Sequence, residues 1–182
     1  MRWISLALGL LSVASPISVS DPAYPPNAVA GAAVVAGLDV RGGLVSRVEI
    51  LGGSEPFAAA ARQALAGWRF PPSVARARVA VVVCFSSPNL TAATRPAEYA
   101  LPTARSGPEM PFPVRIVEPG YPPDASGGGA VTLRLQVDAA GAVQKVESIK
   151  TLGSFTEAAT AAVSKWRFAL FRPPVIAPQR PK

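Results

Sequence analysis

"GWRFPP" at residues 67–72 and "KWRFAL" at residues 165–170 carry the same Trp-Arg-Phe triplet. The chain holds three tryptophans in 182 residues, so two of them in one arrangement mark a repeated unit rather than coincidence. Reading backwards from each triplet extends the match. Phe57, Ala61 and Leu65 precede Trp68 at the spacing by which Phe155, Ala159 and Val163 precede Trp166. Val45 and Val48 align with Val143 and Val146. Further upstream, "AYPPNAVAGAAVVAGLDV" from Ala23 aligns with "GYPPDASGGGAVTLRLQV" from Gly120, so Tyr24-Pro25-Pro26 meets Tyr121-Pro122-Pro123 and Gly31 meets Gly128. The sequence is internally duplicated.

Each copy reads as the same series of elements. The Tyr-Pro-Pro opening suits a short helical turn or loop. In the second copy Val131, Leu133, Leu135 and Val137 alternate with Thr132, Arg134, Gln136 and Asp138, the period of a half-buried strand with one polar face. Their counterparts are Val34, Ala36, Leu38 and Val40. "DAAG" in the second copy and "RGG" in the first read as hairpin loops, each followed by another strand, "AVQKVESI" or "LVSRVEIL". A helix comes next. Ser154 and Glu157 have capping-box spacing, and the first copy offers Ser54 with a first-turn Pro56. Phe57, Ala61, Leu65 and Trp68 form one helical stripe, as do Phe155, Ala159, Val163 and Trp166. With Phe70 and Phe168 at the exits, these rings read as core anchors. Arg69 and Arg167 sit near the negative end of the helix dipole.

The copies differ afterwards. The first continues into "RVAVVVCF" from Arg78, with Val79, Val81, Val83 and Phe85 on one face. In the second, Pro173, Pro174, Pro178 and Pro181 leave no room for a long paired strand. Between the copies, residues 87–113 carry prolines 88, 96, 102, 108, 111 and 113, the composition of an extended linker. Net charge is +7. The basic residues are scattered rather than clustered into a nucleic-acid-binding run. The chain has no histidine, which excludes His-dependent triads and the commonest zinc ligand. Its single cysteine, Cys84, lies among valines and reads as a small buried hydrophobe. Glu49 and Glu147 are repeat-equivalent carboxylates on strands and read as solvent-facing. No cofactor or metal is expected, nor catalysis.

The first 20 residues read as a secretory leader. Arg2 precedes an apolar run from Ile4 to about Ala14, shorter than the roughly 20 residues that cross a bilayer. Ser18 and Ser20 give the small-x-small pattern before Asp21. The expected division is a leader over 1–20, unit 1 over 21–86, a linker over 87–113 and unit 2 over 114–182.

Over about residues 21–86 and 114–170 each unit resembles the C-terminal domain of TonB, the energy-transducing protein of the Gram-negative envelope. The matching features are Tyr24 to Ala28 and Tyr121 to Ala125, the "VDAAGAV" hairpin and the Phe…Ala…Trp-Arg-Phe helix. The resemblance implies an α+β fold of two small αββαβ units, each an antiparallel sheet packed on a helix, the second lacking a clear last strand. It implies periplasmic location and binding of a short peptide, such as the TonB box of an outer-membrane receptor, added as a strand to a sheet edge. The residues this assigns to the partner are Val79, Val81, Val83 and Phe85 on the edge, with Tyr24, Pro25, Tyr121 and Pro122 flanking it. Tyr24 and Tyr121 read equally well as proline-fixed plugs on the sheet. The open sheet of unit 2 is expected to borrow a strand from residues 114–117, from unit 1 or from a partner, with self-association through open edges as one outcome. Retention of the N-terminal segment as an inner-membrane anchor would make the chain an energy transducer, and its positive charge would suit an anionic envelope polymer. No nucleic-acid partner is expected.

Overall fold

Runs of valine, leucine and isoleucine form strands because branched side chains pack well on a pleated, buried surface. The computed structural model describes residues 2–8, 15–28, 31–86, 98–99 and 110–169, with 2–8 and 98–99 as backbone alone. Its elements are β1 (Arg2–Leu8), β2 (Ala32–Arg41), β3 (Leu44–Gly52), α1 (Phe57–Ala66), β4 (Arg76–Ser86), β5 (Glu98–Tyr99), β6 (Pro113–Val117), β7 (Thr132–Val137), β8 (Val143–Lys150), α2 (Gly153–Val163) and β9 (Arg167–Phe168). Six strands make one sheet in the order β3-β2-β4-β1-β7-β8, and β5-β6-β9 make a smaller one. Pairing in the large sheet is antiparallel except between β1 and β7.

The two helices cover opposite faces of the large sheet. Phe57, Ala61 and Leu65 of α1 pack with Val34, Ala36, Leu38, Val79, Val81, Val83 and Phe85. Ala159 and Val163 of α2 pack with Leu133 and Leu135, and that cluster continues across Ala33, Val35, Ala80, Val82 and Cys84. Successive strand residues point to opposite faces. Odd-numbered residues of β4 therefore serve the core under α1, and even-numbered ones join the core under α2. A half-turn about an axis in the sheet, parallel to its strands, carries β2 and β3 onto β7 and β8 and moves the covering helix to the other side.

The contacts around each Trp-Arg-Phe triplet recur pair by pair. Trp68 Nε1 donates to the Ser20 carbonyl at 3.1 Å, and Trp166 Nε1 to the Val117 carbonyl at 2.9 Å. Both indoles are fully buried, so each N–H needs such an acceptor. The Phe70 amide donates to Gly43 at 2.8 Å and the Phe168 amide to Gly141 at 2.9 Å. Arg69 Nη1 donates to the Trp68 carbonyl at 3.0 Å and Arg167 Nη1 to the Trp166 carbonyl at 2.7 Å, closing carbonyls that the helix ends leave free. Tyr24 meets Phe57 edge-on at 5.7 Å, and Tyr121 meets Phe155 edge-on at 5.2 Å. Upstream, Ser18 bridges to Arg69 as Arg115 pairs with Arg167. The correspondence reaches back to "PISVS" at residues 16–20 and "PVRIV" at 113–117. Ile17 and Val114 are both exposed in these segments.

Several expectations change. The units do not form two separate sheets; they share one, and their cores meet through the second face of β4. Ile17, Ser18 and Ser20, inside the expected leader, pair with Arg69 and Trp68. The Tyr-Pro-Pro opening is a single turn, with Ala28 N–H on the Pro25 carbonyl and Ala125 N–H on the Pro122 carbonyl, both at 3.1 Å. No Ser154–Glu157 capping box forms; the N-cap of α2 is Leu152, two residues earlier, and Thr156 Oγ1 accepts the Leu152 N–H at 2.7 Å. Helix α1 has Pro56 at its N-cap, and Glu55 Oε2 accepts the Ala59 N–H. Residues 114–117 belong to β6, in the small sheet rather than beside β7. Most of the expected linker, and residues 170–182, lie outside the described residues.

Gly141 has φ +82°, and a Cβ there would fall on the Phe168 carbonyl. Gly141→Ala should therefore cost about 2–4 kcal/mol. Gly42, at φ +55° with open space around it, should cost about 1 kcal/mol on the same change. Urea midpoints of the two variants check this ordering.

Candidate functional site

β4 is the element through which the two halves meet. From Val79 to Phe85 every residue is buried, and it contacts β2 along one flank. The other flank is not an outer margin of the sheet. Arg2–Leu8 lies against it in antiparallel register, from Arg2↔Ser86 to Leu8↔Ala80. The same segment runs parallel to β7, from Ser5↔Thr132 to Leu8↔Leu135. One extended backbone thus fills a strand-wide slot between the halves and, among the described residues, takes the position beside β7.

Among the described residues the outer strands of the large sheet are β3 and β8. They carry Ser46, Arg47 and Glu49 in β3, and Gln144, Lys145, Glu147 and Lys150 in β8. Charged residues of this kind protect a sheet edge from unwanted pairing. The flanks of the slot have no such protection on β4. On β7, Thr132 is fully buried and its Oγ1 has no hydrogen-bond partner, and neither does Arg134 Nε. Arg134 Nη1 lies 3.2 Å from Ser15 Oγ and 3.6 Å from Glu147 Oε2.

The other residues singled out by sequence separate into two groups. Val79, Val81, Val83 and Phe85 have their backbones at the slot and their side chains in the core under α1. Tyr24 is buried against Phe57 and Phe85 and acts as the plug on that core. Burial, aided by the charge of Glu118, raises its phenol pKa. Pro25 and Pro122 are buried beside the two tyrosines, and Tyr121 is half-buried with its hydroxyl 3.2 Å from the Gly127 carbonyl. Tyr121 packs on Phe155 rather than at the slot. Of the anchors, Phe57, Trp68, Phe70, Trp166 and Phe168 are buried and Phe155 is half-buried.

Cys84 is fully buried; burial first, then the Glu118 charge, pushes its thiol far above the usual range. Glu49 sits 2.6 Å from Arg78 Nη2. Glu147 sits 2.6 Å from Lys145 Nζ, whose hydrogen bond and charge hold the carboxyl below its usual pKa. These carboxylates are ion-paired on the sheet surface. No group of three or more His, Cys, Asp or Glu among the described residues is placed to hold a metal. Nor is any described helix long and apolar enough to cross a membrane.

Sequence reasoning missed Arg2–Leu8 as a strand, and it missed Thr132, assigned to a solvent face. One signal was available. Residues 79–85 contain no polar side chain on either face, the mark of a strand inside a sheet rather than at its edge.

Residues 117–175 match the family described as Gram-negative bacterial TonB protein C-terminal. The match falls on unit 2. That family is a non-enzymatic protein-interaction domain with ties to transport. No curated protein and no solved structure matches the chain.

Two outcomes follow from the buried groups. Native protein should resist thiol alkylation at Cys84 at mildly alkaline pH and react fully once unfolded, since neither the thiolate nor the reagent is accommodated in the core. Thr132→Val removes an unpaired hydroxyl at nearly constant volume, and should raise stability by about 1 kcal/mol in the chain that retains residues 2–8. Denaturant titration reads the second effect.

Proposed function

We propose that the chain is an exported, TonB-like binding module of the periplasm, built from two tandem copies of the family's domain. It holds an extended segment of an envelope protein, such as an outer-membrane TonB-dependent receptor, by backbone pairing along β4. The observation that carries this reading is the seven-residue register of Arg2–Leu8 on that flank: an unrelated extended segment is accepted there, over a run of unprotected backbone groups. The family match over residues 117–175 supports the kind of module. The contacts repeated around Trp68 and Trp166 support two copies. Strand addition needs free N–H and C=O groups and little side-chain chemistry, which suits a chain without histidine.

Protein exported and processed by a Gram-negative host should bind synthetic peptides from the N-terminal segments of such receptors, read by fluorescence anisotropy. Hydrogen exchange should slow at residues 80–86 on binding. Affinity should change less than about threefold between about 50 and 500 mM salt, since uncharged backbone pairing is little screened. A loss of more than about tenfold across that range, with attachment to purified cell wall, would identify an anionic polymer as the ligand instead.

A further inference from the structure

We infer that the slot between β4 and β7 is a two-sided strand-receiving site, filled by residues 2–8 while they remain attached and opened by cleavage N-terminal to Pro16. This rests on the reading of the chain as a strand-binding module and adds to it which segment leaves, where the cut falls and what the incoming strand must offer.

The cut is placed by the fold. Cleavage after Ser20 would remove the carbonyl that accepts the Trp68 indole N–H and the Ser18 bridge to Arg69. Unit 2 keeps the equivalent groups, Val117 and Arg115. Residues 16–20 are therefore part of unit 1. Immediately before them, Ser12-Val13-Ala14 provides a small-x-small pattern at the end of the apolar run. Hydrolysis of the bond between Ala14 and Ser15, with water supplying a hydroxyl to Ala14 and a proton to the Ser15 amine, releases residues 1–14 and leaves unit 1 whole.

Loss of Arg2–Leu8 strips pairing from two strands at once. Ala80 to Ser86 of β4 lose one neighbour, and Thr132 to Leu135 of β7 lose another. The β4 flank is apolar and buried, and on β7 the one charged residue, half-buried Arg134, is ion-paired to Glu147, so an open slot is less protected than the charged margins β3 and β8. The occupant that fits is an extended, proline-free partner segment of about seven residues, antiparallel to β4 and parallel to β7. Proline would remove a donor needed on one flank. Thr132 Oγ1 has no hydrogen-bond partner, and position 5 of the segment registers with Thr132 along the backbone. A partner segment carries at that position a longer hydrogen-bonding side chain that reaches this hydroxyl.

The test uses the full chain, exported and processed by a Gram-negative host, with the synthetic peptide RWISLAL as probe. Intact mass should place the N-terminus at Ser15, and the peptide should bind saturably. Alternate residues of a strand direct their N–H groups to opposite neighbours, so two N-methylated peptides are informative, one blocked at its second, fourth and sixth positions and the other at its third, fifth and seventh. The peptide blocked on the β4 side should bind on the order of 100-fold more weakly, for about three lost hydrogen bonds at roughly fivefold each, and the one blocked on the β7 side about 25-fold more weakly, because only Ser5–Leu8 register there. A Ser5→Asn version of the peptide should bind about fivefold more tightly, and this gain should vanish in the Thr132→Val protein. If only one methylated peptide is weakened, the strand adds to a single flank; the two-sided slot is then wrong while strand binding stands. No binding of RWISLAL also overturns the slot, and binding of receptor peptides then decides separately whether strand addition survives. An N-terminus at Met1 or Asp21 overturns the placement of the cut.

Discussion

A buried backbone N–H or C=O left without a partner costs as much as losing a good side-chain contact, and this sheet concentrates that liability on β4. Its residues are buried on both faces, so water cannot serve its flanks. Whatever lies beside it must supply main-chain groups. β2 does so on one side through ten registered positions. On the other side the constraint is met by Arg2–Leu8. The place of β1 between the halves is thus a consequence of how apolar β4 is.

That constraint also explains why the halves cannot be treated as independent modules. Because the helices lie on opposite faces, the side of β4 turned away from α1 is covered by the core of unit 2, through Ala80, Val82 and Cys84. Separation would expose that surface. An ion pair between Asp21 of unit 1 and Lys150 of unit 2 adds a link at the periphery, but exposed pairs contribute little. The shared apolar face does the joining.

The recurrence of contacts around Trp68 and Trp166 was legible because it is written in large side chains at fixed spacing. Trp68 and Trp166 each make an indole hydrogen bond and are each followed by an arginine that closes the tryptophan's carbonyl, and the tryptophans and arginines sit at aligned positions. The hairpins and helices were legible for the same reason. What could not be read locally was the neighbour of each strand. Alternation in "AVTLRLQV" announces one apolar face, but Thr132 on the polar face is buried because the sheet continues past β7, a fact outside that stretch. The start of unit 1 was obscured differently. "PISVS" resembles the end of a leader in composition, and only its pairing with Arg69, matched by Arg115 with Arg167, assigns it to the fold. Local cap chemistry was likewise decided by competition: Thr156 reaches the Leu152 N–H, so Ser154 is not needed there.

The contrast between margins and slot bears on specificity. Charged residues along β3 and β8 disfavour pairing at the outside of the sheet, so the proposed strand addition is confined to its middle. There, two flanks running in opposite directions fix the polarity of any occupant, because antiparallel pairing to β4 and parallel pairing to β7 are satisfied together by one direction only. Side-chain preference then needs few determinants. Thr132, buried and unpaired, is placed to supply one. Under the proposed strand addition, length, direction and a single hydrogen bond would suffice to discriminate among extended segments in a chain with scattered charge and no histidine.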